Sequence, residues 1–261
     1  MLTRANLTEK TIVPTSIYAS SLLLVLLTFI SVNTLAAEAK TEAAAPASND
    51  WKGSVELGFS KSTGNVETTD ANFGLTLDKQ TAQWRQTAAI KGDKLESKTT
   101  TLSERYMTDY KAAYILPSKN YWFGYAGYDA NELAAIDKRF VEAFGYGAHL
   151  LNSPTKTLEG EIGLGARQTT YTNDLGKDNE AIAHVSLKYA QQLTENTKFT
   201  QDLVLHPGTD NSHTTSRTGI QVGMSKNTAL KVNYEVQNNT KVFEGVEKKD
   251  TSTHVNLVVG F

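Results

Sequence analysis

The 261-residue chain contains no cysteine, which excludes disulfides and thiolate metal sites together. It also lacks any stretch of a single charge sign. Its 26 Lys and Arg are scattered singly and build no basic stripe, so nothing supports a nucleic-acid partner. Apolar residues at helical spacing are nearly absent. The one sustained apolar run, from about Ile17 to Ile30, is shorter than the roughly 20 residues a membrane-spanning helix needs.

That run has another use. Arg4 and Lys10 precede it and small residues around Ala36, Ala37 and Ala39 follow it, which is the layout of a secretory signal peptide. Thr34-Leu35-Ala36 and Ala37-Glu38-Ala39 both suit cleavage, and we take residues 1–36 as the leader. Its removal takes away Arg4, Glu9 and Lys10, a net +1, so the formal charge moves from −2 to −3. Residues 37–50 are rich in Ala, have little to bury, and read as a disordered periplasmic tail.

From Trp51 onward the dominant pattern has period 2, which sends alternate side chains to opposite faces of a strand. Trp51, Val55, Leu57 and Phe59 alternate with Lys52, Ser54, Glu56 and Ser60; Ala71, Phe73, Leu75 and Leu77 alternate with Asp70, Asn72, Thr76 and Asp78. The alternation continues to the last strand, Val255, Leu257, Val259, Phe261. About twelve such segments follow one another, many near the ~10 residues a tilted strand needs to cross a bilayer. Two stretches fit poorly: 121–128, with aromatics on both faces, and 140–150, where Glu142 interrupts the apolar set.

A water-soluble sandwich or lipocalin-like barrel shares this periodicity with its apolar face inward. The connections separate the cases. Short turns are expected near 79–83, 117–120, 152–156, 193–197 and 225–228, and longer polar loops near 92–100, 129–138, 170–180, 207–214 and 238–250. Short and long alternate strictly, as in outer-membrane barrels with periplasmic turns and extracellular loops. Trp51, Trp84, Tyr114, Tyr121, Trp122 and Phe261 fall near strand ends on the short-turn side, as an interfacial girdle does. The expected fold is all-β: an antiparallel transmembrane β-barrel of the outer-membrane type, about 12 strands, over residues 51–261. The expected location is the outer membrane of a Gram-negative bacterium.

Phe261 ends the chain on an alternating strand with no polar tail, which resembles the C-terminal signal that barrel-assembly machinery reads; that machinery and outer-membrane lipid are the expected partners. Several short motifs then follow in order: Gly58-Phe59-Ser60 running into Ser62-Thr63-Gly64-Asn65, Gly145-Tyr146-Gly147, Glu161-Ile162-Gly163-Leu164-Gly165, and Asp250-Thr251 through Phe261. Residues 51–261 thereby resemble the salt-induced outer membrane protein family, catalogued as domain of unknown function 481. The resemblance implies a barrel of unknown biochemical role linked to salt or envelope stress, and brings no catalytic residues.

Three constellations invite chemistry. His184-Val185-Ser186 has the His-x-Ser spacing of barrel phospholipases, but both side chains face the lumen by parity and the flanking residues of that motif are missing. His206 and His213 bracket a loop containing Asp210, and Asn173, Asp174, Asp178, Asn179 and Glu180 form an oxygen-rich loop without EF-hand spacing. We read all three as structural, and assign no catalytic, cofactor or metal residue.

The lumen-facing charges carry more. Lys52, Arg85, Lys91, Arg105, Lys111, Arg167, Lys188, Lys198, Arg217 and Lys231 nearly balance Glu56, Asp70, Asp78, Asp109, Glu159, Glu161, Asp202 and Glu235. Such a network suits a closed interior, whereas a selective pore favours one sign. Gly145, Gly147, Gly163 and Gly165 on the inner face either leave a hollow or let the wall bend. The function read from sequence is a non-enzymatic envelope barrel, with a narrow channel for small solutes or ions as the alternative and a lipid-hydrolysing barrel third.

Overall fold

The computed structural model describes residues 48–62, 68–97, 100–172, 175–244 and 246–261. The leader assigned to 1–36, and most of the tail, lie outside them. Twelve antiparallel strands close into one barrel: β1 (Ser48–Ser62), β2 (Thr68–Gln80), β3 (Trp84–Ser97), β4 (Thr100–Ile115), β5 (Tyr121–Asn131), β6 (Ile136–Asn152), β7 (Lys156–Tyr171), β8 (Lys177–Gln192), β9 (Thr197–His206), β10 (His213–Gly223), β11 (Thr228–Asn239) and β12 (Lys249–Gly260). Each strand pairs with its sequence neighbours, and β1 pairs with β12. Closure joins the first strand to the last, the condition lipid imposes on a spanning sheet, with the seam laced from Ser54–Gly260 to Gly58–Asn256. Among the described residues no helix is long and apolar enough to cross a membrane.

The apolar faces point out. Leu57, Phe59, Ile90, Phe144, Ile162, Leu164 and Val255 are exposed, Leu164 to 76%. In a soluble barrel these positions would be the core; here they form a belt whose natural solvent is lipid. Trp84 meets Tyr114 edge-on and Trp122 stacks on Phe144 at the short-turn end, where β1 begins and β12 ends. Tyr121 departs from the expected girdle. It shares a strand with Trp122 but has the opposite parity, so its ring enters the lumen and is 1% exposed. The two poorly fitting stretches resolve the same way: Phe123 points inward beside Tyr121, while Glu142 points outward between Phe140 and Phe144.

Two boundaries move. β1 begins at Ser48, so the last three residues of the expected tail are strand, with Ser48 paired to Gln80 ahead of a register irregularity. The short turns stand where expected, but most of the longer loops do not: β3 runs to Ser97 and β4 starts at Thr100 inside the expected 92–100 loop, and β8 starts at Lys177 inside 170–180. Above the apolar belt both faces of a strand meet water, so alternation fades while the ladder continues to satisfy the backbone. The connection from β11 to β12, residues 240–248, remains long.

The seam is uneven. β1 and β12 pair from Ser54–Gly260 to Gly58–Asn256, whereas β12 pairs with β11 as far as Asn238–Lys249. The seam is fastened at the terminus end, where Gly53 and Phe261 exchange backbone hydrogen bonds of 2.8 Å in both directions.

Candidate functional site

The lumen has two unlike sides. Along β5 to β8 it is filled. Tyr121 and Phe123 lie against a wall of glycines: a methyl added at Gly147 would come 2.2 Å from the Tyr121 ring, and one at Gly145 would meet both Phe123 and the backbone of β7. Methyls at Gly163 and Gly165 would strike the backbone of β6. The glycines therefore leave no hollow. They admit aromatic rings from the neighbouring strand and let two strands approach closely.

Ionic groups are stitched into this packing. The Tyr121 hydroxyl sits 2.8 Å from Glu161 and 3.0 Å from Glu159. Arg85 grips Glu159 with two hydrogen bonds of 3.0 and 2.8 Å and lies over the Tyr121 ring. Lys111 donates to Glu161 at 2.6 Å. Nearer the loop end, Arg139 donates to both oxygens of Asp129 at 2.8 and 2.9 Å, and Arg167, 1% exposed, donates to Glu180 and to the backbone oxygen of Asn211. Glu180 also accepts from the backbone N–H groups of Asp210 and Asn211, pinning the connection between β9 and β10. Burial of these charges is tolerated because each has a geometrically good partner.

The His184–Ser186 pair and the oxygen-rich loop belong to this filled side and His206 and His213 to the adjoining β9 and β10, and none of the three constellations assembles as a reaction site. His184 lies 2.9 Å from His206 and 3.5 Å from Glu161, and among the described residues makes no hydrogen bond to Ser186. His206 and His213 are ladder partners, but His213 turns to Asn239 and Thr215 while Asp210 is exposed. Asn173 and Asp174 lie outside the described residues; Asp178 accepts from Tyr171, and Glu180 is held by Arg167. Among the described residues no group of three His, Asp or Glu is placed to hold a metal ion.

Along β1 to β4 and β9 to β12 the lumen is hollow. A cavity of about 110 Å³ at mid-barrel adjoins a second of about 290 Å³ toward the loop end, and the two share Asp93, Arg105, Glu235 and His254. Glu235 accepts from Arg105 at 2.8 Å and also from Arg217, and Lys231 donates to Glu56 at 2.7 Å. His254 lies 3.8 Å from Asp93 and 3.1 Å from Asn72. Parity in the sequence placed most of these charges in the lumen correctly. It missed Asp93 and the Arg139–Asp129 pair, because Asp93 and Asp129 fall in expected loops, 92–100 and 129–138, and Arg139 directly follows the second; the structure instead pairs Asp129 with Arg139 across β5 and β6.

A family model described as "Protein of unknown function, DUF481" matches residues 55–261. Uncharacterized protein YdiY of Escherichia coli (strain K12) is 28% identical over 218 residues, covering 82% of this chain and 84% of that protein. A solved outer membrane channel from Pseudomonas putida F1 aligns with a TM-score of 0.50 at 12% identity, covering 88% of this chain and 100% of that one. The NanC porin structure aligns with a TM-score of 0.49 at 10% identity, covering 80% of this chain and 97% of that one.

Proposed function

This chain belongs to the DUF481 family, and since membership brings no chemistry with it, we propose from the lumen itself that the protein is a narrow outer-membrane channel for small charged solutes. The observation that carries this reading is the lopsided interior. Two adjoining cavities follow one side of the barrel from its loop end to its middle, and their walls carry ionisable groups of both signs. A barrel serving only as a scaffold has no need to leave that side hollow while packing the other with rings. The apolar belt supports residence in the outer membrane, with the loop end outside and Phe261 offered to the assembly machinery from the periplasm.

A second reading is favoured by a specific observation: the Arg105–Glu235–Arg217 cluster crosses the hollow side and closes it as a structural barrel would. Single-channel recording of the full chain, folded in detergent and inserted in planar bilayers, separates the two. Small unitary steps are expected. A protein whose unboiled band migrates as a folded barrel, yet gives no steps, would overturn the channel in favour of a closed envelope barrel.

A further inference from the structure

We propose that the mid-barrel cavity binds a small zwitterion of the α-amino acid class, its carboxylate on Lys91 and its primary ammonium on Asp202. This deepens the channel reading and rests on it for access from outside.

The argument begins with which charges are already matched. Four cations and four carboxylates line the cavity. Glu56 holds Lys231, and Glu235 holds both Arg105 and Arg217. Asp93 faces His254. Lys91 and Asp202 are left over. Among the described residues Lys91 makes no direct hydrogen bond or ion pair and meets Glu56, Glu235 and Asp109 only at longer range, and Asp202 Oδ1 is buried with no hydrogen-bond partner. Asp202 lies in register between Arg217 and Lys188; the Arg217 guanidinium hydrogen-bonds Glu235 and acts on Asp202 only through space, and Lys188 makes no hydrogen bond to it among the described residues.

The two groups have opposite charge, sit on β3 and β9, line the same cavity and form no ion pair with one another. A buried polar group without a partner is costly, so such pairs ask for something between them. A simple anion suits Lys91 and is repelled by Asp202; a simple cation meets the reverse. A molecule carrying an ammonium and a carboxylate satisfies both, and an N–H on that ammonium supplies the donor that Asp202 Oδ1 lacks. Arg105 Nε, also buried and unpartnered on the same wall, is a further donor for the carboxylate. At about 10–15 Å³ of free volume per water, the cavity has room for several waters or one small amino acid in their place.

The test is equilibrium calorimetry on the full chain folded in detergent, with glycine, acetate and methylammonium as probes. Glycine should bind saturably, and each half-molecule at least about tenfold more weakly, since each forgoes one charge-assisted contact. Lys91→Met and Asp202→Asn should each lower glycine affinity by at least about tenfold. Should either variant fail to give a folded band, the three probes on the unaltered protein still decide. Acetate or methylammonium binding as tightly as glycine would overturn the zwitterion site, and so would the absence of saturable glycine binding by a folded barrel. Binding is read here without transport. A barrel that conducts but ignores glycine defeats this inference alone, and one that binds glycine without conducting defeats the channel alone.

Discussion

The filled and hollow sides of the lumen are built on one ladder with one alternation, yet they settle their charges differently. On the filled side ion pairs are wedged among rings: Tyr121 touches the carboxylates that Arg85 and Lys111 neutralise. On the hollow side Lys231–Glu56 keeps 23% and 19% of its side-chain surface accessible, much as Arg85–Glu159 keeps 26% and 19%, so the difference lies in the neighbours: rings on one side, a cavity on the other. The same residue types therefore carry different energetic weight. An ion pair surrounded by packing is committed to the fold, because losing one partner strands a charge out of water; a pair beside a cavity can exchange its partner for water or solute.

Three experiments sharpen or break that contrast, the largest effect first. Tyr121→Ala should cost about 3–5 kcal/mol of unfolding free energy, the usual range for removing a buried ring. It should also raise unit conductance by opening a second path, read from denaturant titration in micelles and from bilayer recordings. An unchanged conductance would mean that the remaining packing collapses into the gap. Next, Arg139→Met should cost about 3–5 kcal/mol, because buried Asp129 loses its partner, whereas Lys231→Met should cost about 1 kcal/mol or less. Equal losses in the same titration would erase the distinction between the sides. Smallest is a pair of methyl additions. Gly147→Ala pushes a carbon into the Tyr121 ring and should destabilise by about 1–3 kcal/mol. Gly74→Ala meets Glu56 at an ordinary 3.4 Å and should change stability by less than about 0.5 kcal/mol.

Much of this architecture was legible in the chain because a period of two is a strong signal wherever lipid selects one face. It put Lys91, Arg105, Asp202, Arg217 and Glu235 in the lumen before any coordinates. It failed where neither face is constrained by lipid. Tyr121 reads as a girdle residue because aromatics suit both an interface and a plug, and only its parity relative to Trp122 tells them apart. Expected loops such as 92–100 and 170–180 are largely strand because polar sequence above the belt looks the same whether it loops or pairs. The choice of partners among lumen charges depends on which strands face each other across the barrel. Register along neighbouring strands does not encode that, so the hollow itself could not be read.

The uneven seam bears on how the barrel can respond to load. A hoop fastened all round resists widening, since any dilation must stretch every joint at once. This wall is closer to a split ring: β1 and β12 are laced from Ser54–Gly260 to Gly58–Asn256 and, among the described residues, make no ladder pairs beyond, on the stretch of β12 whose residues Asp250 to His254 line the larger cavity. A split ring yields at its slit, so the rim beside that cavity is where the circumference can grow at least cost, with the laced end acting as its hinge.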